Sequence, residues 1–386
     1  MKKYLILIFV FVICVLAFAY TRNNTMAKEN TTIIKVGKEP NSVEVADMNG
    51  DKMPDIMVAN GGDSSVTILL GKGRGLFTEA ASSPFYAGCA PNDVAIADVN
   101  KDGKPDLIFA NHTKKYLTVL VGDGKGGFGP LRGSPFAVAV NPHTHGVAVA
   151  DFNNDGNPDL VTDSWGNDRI EILFGNSKHG FNTPGKFISV GKHPYQRLRV
   201  ADLNRDGNID IVTTNLDGGN CTILLGNGKG DFMQPSGSPF PAGDSPFGVA
   251  IGDINGDDKP DQAIANSPTI TSENRRRDGL TILIGDGDGK FTSMRGSPFA
   301  TGKSPSRVAI GDINGDGVND VVTTNYNSNS INVFLMGKGK VLSSHTLRTG
   351  QKPGGIAVAD IDGDAKNDIL VTNSLDNTLE IIGTIK

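Results

Sequence analysis

A nine-residue loop, written seven times, constrains this chain more than any other feature. Its form is clearest at Asp151-Phe152-Asn153-Asn154-Asp155-Gly156-Asn157-Pro158-Asp159, a D-x-N-x-D-G-x-x-D pattern. Side-chain oxygens stand at its first, third, fifth and ninth positions. The loop begins at Asp47, Asp98, Asp151, Asp202, Asp253, Asp312 and Asp360, at intervals of 51, 53, 51, 51, 59 and 48 residues. A repeat of that length is one supersecondary unit copied many times. It overrides the two or three domains that 386 residues would otherwise suggest. The 59-residue interval has a local cause, an insertion at 269–278 containing Arg275, Arg276 and Arg277.

The flanks repeat too. Before the loops run short alternating segments such as Val43-Glu44-Val45-Ala46, Val94-Ala95-Ile96-Ala97 and Val147-Ala148-Val149-Ala150. Period two with β-branched residues predicts a strand, and the interleaved small residues fit a crowded position. A second strand follows each loop (159–162, 210–213). A third (65–70, 169–174, 221–225, 281–284) ends in a glycine-rich turn such as Gly226-Asn227-Gly228-Lys229-Gly230-Asp231-Phe232. A fourth leads through a G-x-x-P turn (Gly191-Lys192-His193-Pro194, Gly302-Lys303-Ser304-Pro305) into the next copy. Four short strands per copy and no long helical period predict an all-β fold, a seven-bladed β-propeller of four-stranded antiparallel blades. The seventh copy stops after its third strand, at 379–383. The segment 32–40 matches the fourth strand and turn at 187–194. The N-terminal strand is therefore expected to close the ring and remove its open edges.

These seven loops, their order and their flanks resemble FG-GAP or VCBS repeats, the units of the integrin-alpha-like seven-bladed β-propeller. The resemblance covers 31–386. It implies calcium in the loops on one face and a ligand on the opposite face.

The first residues read as a leader: Met1-Lys2-Lys3, an apolar run from Tyr4 to Tyr20, and Ala17-Phe18-Ala19 as an A-x-A cleavage site. The domain plan is a signal peptide at 1–19 (or an N-terminal anchor), a polar spacer at 20–30 and the propeller at 31–386. The protein is expected to be secreted or held at the cell surface or envelope, touching a membrane only through an uncleaved leader. Cys89 and Cys221 fall in different repeats, so no disulfide is expected between them.

Twenty-two of the 42 acidic residues occupy the ligand positions of the loops. All-oxygen donors at this spacing favour calcium over zinc, and over magnesium because the loop supplies many ligands. The candidate ligands are Asp47, Asn49, Asp51 and Asp55; Asp98, Asn100, Asp102 and Asp106; Asp151, Asn153, Asp155 and Asp159; Asp202, Asn204, Asp206 and Asp210; Asp253, Asn255, Asp257 and Asp261; Asp312, Asn314, Asp316 and Asp320; and Asp360, Asp362, Asp364 and Asp368. Up to seven structural Ca²⁺ are expected. The alternative is that these side chains only cap turns. Removal of Lys2 and Lys3 with the leader takes the formal charge from −5 to −7, and seven doubly charged ions would carry it to +7. Position six is glycine in four loops (Gly103, Gly156, Gly207, Gly317) and Lys52, Asp258 or Ala365 in the others. The tightest binding is expected in the glycine loops.

The copies differ most in the turns after G-x-x-P and between second and third strands, which ring the channel mouth. His143, His145, Trp165, Tyr195 and Arg197 form the candidate ligand site there, suited to a sugar or an acidic group. His112, Tyr116, Arg169 and Tyr326 come from the same set of loops. The recurring Asn60, Asn111, Asn215, Asn266, Asn325 and Asn373 are expected to cap turns. No nucleophile elbow, zinc signature or phosphate loop is present. An acidic chain without a basic stripe is not expected to bind nucleic acid. Three readings stand: a non-catalytic binding or adhesion module for a glycan or protein; a calcium-dependent polysaccharide lyase or related carbohydrate-active enzyme with His143 or His145 as base and Arg197 as neutraliser; and an envelope scaffold. The propeller is expected to be monomeric, and no catalytic residue is assigned.

Overall fold

The computed structural model describes residues 31–176, 180–268 and 277–383. The leader, the spacer, and Arg275 and Arg276 of the insertion lie outside the described residues. Each repeat folds into one antiparallel sheet, and seven sheets form the propeller. Blade six shows the unit whole, with Pro305–Gly311 innermost, then Asp320–Asn325, Ser330–Gly337 and Lys340–Arg348 outermost. In blades one, two and four the outer strand is broken into two short pieces, such as Phe77–Glu79 and Phe85–Tyr86. Blade seven takes its outer strand from the other end of the chain. Thr31–Lys35 lies antiparallel to Thr378–Ile382, with Thr31 opposite Ile382, and this closes the ring.

The second strands are buried at all six positions in every blade, as in Asp210–Asn215. A neighbouring blade covers each face, so these strands carry buried residues on both faces and show no strict alternation. The core is accordingly divided into seven clusters, one between each pair of adjacent blades. Val43, Ile56 and Val58 of blade one pack on Leu370, Leu379 and Ile381 of blade seven, so hydrophobic burial completes what the closing strand begins. Each such side chain contributes about 2 kcal/mol by leaving water.

The loops are anchored in this core. Their second residue is always large and apolar: Met48, Val99, Phe152, Leu203, Ile254, Ile313 and Ile361, all 4 % exposed or less. The inner strand of six blades begins at the proline of the G-x-x-P turn, paired to the asparagine that ends the second strand, as Pro40 to Asn60. A register shift follows that proline directly. Such a bulge re-aims the next side chains, here toward the channel mouth. Blade three departs from the rule, its inner strand starting only at Val147. Cys89 and Cys221 are both free thiols. No helix among the described residues is long and apolar enough to cross a membrane.

Candidate functional site

Connections between inner and second strands gather on one face and those between second and third strands on the other, so the propeller presents two distinct faces. On the loop face, the blade-three copy shows the common wiring. Asp151 accepts the Gly156 N–H at 2.7 Å, Asn153 accepts the Asp155 N–H at 3.0 Å, and Asp155 accepts the Asn157 N–H at 2.7 Å. In all seven loops the sixth residue donates its N–H to the first aspartate. It does so with positive φ, from 63° at Asp258 to 85° at Gly207. The fourth residue is also left-handed in every loop: Gly50, Lys101, Asn154, Arg205, Gly256, Gly315 and Gly363. The three loops lacking glycine at position six have it at position four. Each loop thus relieves at least one of two strained positions, and the loop from Asp312 relieves both. Position six alone therefore does not rank the loops.

The ninth aspartate has a second duty that its spacing did not announce. Asp159 is fully buried; its carboxylate accepts the Phe152 N–H at 2.9 Å and the Gly175 N–H at 2.7 Å. The same two bonds recur in the first six blades. They clamp the loop to the end of the third strand so closely that a Cβ on Gly175 would lie 2.3 Å from the Pro158 carbonyl. Burial pushes these carboxyls up, to about 6 at Asp159, Asp210, Asp261, Asp320 and Asp368, against the pull of the amide bonds; the loop's other carboxylates raise them further. The acidic groups of these loops therefore lie near enough to repel one another. In blade seven, ligand oxygens of Asp360, Asp362 and Asp368 lie within 4.8 Å of one another. A divalent cation fits this donor set.

On the mouth face, rings from neighbouring blades form an arc. His112 lies 4.4 Å from His143 by ring centroid, His143 lies 4.6 Å from His145, His145 lies 4.3 Å from Tyr195, and Tyr195 lies 5.2 Å from Phe247. Trp165 of blade three packs over His193 of blade four at 4.7 Å, and His193 Nδ1 meets Asp217 Oδ2 at 2.5 Å. The structure thus brings His143, His145, Trp165 and Tyr195 together. Burial lowers His112 to about 4, helped by the neighbouring His145 and His143, and it lowers His143 as well.

Arg197 is the correction. It stands at the blade-four bulge with φ 98° and turns into the channel. There its Nε sits 3.2 Å from Asp93, and its Nη2 donates to Ser42 Oγ at 3.0 Å. Two arginines near one buried carboxylate explain the placement: Arg199 also reaches Asp93, at 3.8 Å. Arg169 is diverted too, lying over the Phe187 ring and donating to the Ala139 carbonyl. The strand-ending asparagines are not turn caps. Asn60, 0 % exposed, donates across the hairpin to Ser65 and Thr67, and its counterparts do the same to their own third strands.

A cavity of about 300 Å³ opens beside the arc, lined by Asn41, Asn92, Phe247, Ser304, Ser306, Arg307, Tyr326 and Asn327 among others. Arg307, 3 % exposed, donates through Nη2 to the Asn92 carbonyl at 3.1 Å, while its Nη1 has no hydrogen-bond partner among the described residues. Burial lowers it to about 9, with the Arg197 charge adding to the effect. Asp163 is the residue sequence reasoning missed. It binds the His145 ring, Nδ1 to Oδ2 at 2.9 Å. A signal was available, because the other six repeats carry Ala59, Ala110, Thr214, Ala265, Thr324 or Thr372 at that place.

Fold and faces together define a closed seven-bladed propeller with acidic loops on one side and an aromatic, histidine-rich mouth on the other. The chain belongs to the family of FG-GAP-like repeat proteins, which its sequence matches at 47–109, 98–162, 202–264, 270–323 and 312–371. No curated protein sequence matches it. Among solved structures it is similar to BBS1N, seen in complex with ARL6DN, at 14% identity over 94% of this chain and 99% of that one, with TM-score 0.58. It is also similar to virginiamycin B lyase from Staphylococcus aureus (13% identity, 91% and 98% covered, TM-score 0.54) and to a 6-phosphogluconolactonase-like protein from Bacteroides fragilis (17%, 86% and 98%, TM-score 0.60). At these identities the likeness is one of fold alone.

Proposed function

We propose that this protein is an exported, calcium-stabilised and non-catalytic binding module that takes an acidic glycan at the mouth of its channel. The observation that carries the reading is the mouth cavity with Arg307 in its wall, a buried guanidinium with one nitrogen unpartnered. A carboxylate is the natural partner for that nitrogen. Tyr326 offers an exposed face for a sugar ring, while Asn41 offers an amide for hydroxyls. On the other face the first, third, fifth and ninth loop residues would hold Ca²⁺, whose charge would offset the repulsion among the carboxylates. The lyase reading loses support, because its neutraliser Arg197 is engaged with Asp93 inside the channel.

The test is retention of the full chain on immobilised polysaccharides, neutral and uronate-containing, in calcium and in EDTA. Retention on the uronate polymers is expected, weakened at least about tenfold in Arg307→Gln and in the more exposed Tyr326→Ala. Retention on neutral polymers alone would remove the role given to Arg307. Failure on every polymer would overturn the glycan reading in favour of a protein ligand, and unsaturated products would make the protein a lyase.

A further inference from the structure

The three imidazoles of the mouth form an arrangement that glycan binding does not require. His112 follows the second strand of blade two, whereas His143 and His145 lie in the turn entering blade three. One ring nitrogen from each lies within 4.8 Å of the other two. The scaffold holds them there. Between the two histidines of the turn, Thr144 is fully buried, its Oγ1 accepting the Asn111 N–H at 2.7 Å and donating to the Asn111 carbonyl at 3.1 Å. That fixes the turn against the residue preceding His112, whose own N–H donates to the Ala90 carbonyl at 3.1 Å.

Asp163 supplies the rest. In blades six and seven the corresponding hydroxyl, of Thr324 or Thr372, accepts one backbone N–H from the inner strand. The carboxylate of Asp163 keeps that bond, to the Gly146 N–H at 2.6 Å, and uses its second oxygen for His145 Nδ1 at 2.9 Å. A carboxylate accepts, so Nδ1 carries the proton, and in the neutral imidazole Nε2 keeps its lone pair for a metal. An imidazole held by a carboxylate in this way is the usual outer partner of a metal-bound histidine. The two groups are 2 % and 1 % exposed, a costly burial for a pair serving packing alone.

We propose that His112, His143 and His145 form a binding site for one divalent transition-metal ion of the zinc class, with Asp163 as the positioning residue for His145. Three imidazoles, without thiolate or carboxylate in the donor set, select such a metal over calcium or magnesium. The site lies on the face opposite the acidic loops, so the two metal classes are separated by ligand type and by place. A set of three histidines leaves the fourth tetrahedral position for water or for an oxygen of a ligand at the mouth.

The experiment is titration of the full-length protein, stripped with chelator and returned to saturating calcium, with Zn²⁺ by calorimetry and with Co²⁺ by visible absorption. One equivalent is expected, with the intense absorption of four-coordinate cobalt. His143→Ala and His112→Ala are expected to abolish that absorption. Asp163→Asn is expected to weaken the metal about 10–100-fold. His143 is the less buried ligand, so its variant should keep the parental melting temperature and isolates binding from folding. No Zn²⁺ equivalent above the calcium background would overturn the proposal. So would binding that survives both histidine substitutions unchanged, which would place the ion at the acidic loops instead.

Discussion

The loop face and the mouth face are built from the same seven repeats, yet they obey opposite rules. On the loop face every blade repeats the same bonds: first aspartate to the sixth N–H, and ninth aspartate to the second N–H. On the mouth face the blades diverge, and blade three diverges most. It has Ala139 where the other turns have a glycine, Ser164 where the other second strands end in asparagine, and Asp163 where the others carry Ala or Thr. The first two changes are coupled. Gly191 packs on Asn215 so tightly that a Cβ would lie 2.4 Å from its amide, and with the shorter Ser164 that restriction disappears. Repetition therefore marks what builds each blade, and departure from repetition marks where the side chains of the candidate mouth site gather.

The largest expected effect would break this contrast inside the channel. Asp93, fully buried, balances Arg197 and Arg199. Asp93→Asn should cost about 3–5 kcal/mol in urea unfolding, because the guanidiniums lose the carboxylate they pair with and keep only the charge of Glu44 nearby. No equivalent position in another blade should match it. On the loop face, Asp210→Ala removes both clamp bonds and strands two buried N–H groups, for about 3 kcal/mol. Asp159→Ala and Asp320→Ala should cost the same within error. Unequal costs would mean that the clamp is not the repeated unit it looks like.

A pH series sharpens the comparison, since the faces respond with opposite sign. All seven ninth aspartates are raised in the metal-free fold, five of them to about 6, above an unfolded value of about 3.9. The folded chain therefore holds their protons more tightly, and in EDTA they add stability as pH falls from 7 toward 5. His112 and His143 are lowered, so their contribution is present above about pH 6.5 and is lost on acidification. Seven raised carboxyls outnumber two lowered imidazoles, and a net gain is expected from thermal melts in EDTA. Saturating Ca²⁺ should flatten or invert it, and His112→Ala with His143→Ala should steepen it. The smallest effect is Ala365→Gly. It relieves a φ of 67° and should stabilise by about 1 kcal/mol, whereas substitution at Lys101, in a loop that already has Gly103, tests the fourth position separately.

Much of the loop face was legible because its information is local. Seven acidic loops, short strands and glycine turns fall within nine to fifty residues of one another, and the spacing alone gave blade count and loop position. The double duty of the ninth aspartate was not legible, because its second partner lies on another strand, sixteen residues away in Gly175. The left-handed fourth position could have been read from Gly50, Gly256, Gly315 and Gly363, but Lys101 and Arg205 obscured it. At the mouth, His143, His145, Trp165 and Tyr195 could be picked out as departures from the repeat. Arg197 could not be told from them, since a bulge decides whether its side chain faces the mouth or the channel.

The sequence by itself determined the repeat, the seven blades, the two faces and the closure of the ring by residues 31–35. These follow from periodicity and from matching a missing outer strand to a spare one. Only the tertiary structure decided that His112 meets His143 and His145, that Asp163 holds His145, and that Arg307 stands beside an open cavity. Those contacts join different blades or different strands, and their geometry is fixed by how one blade packs on the next, which no single repeat encodes.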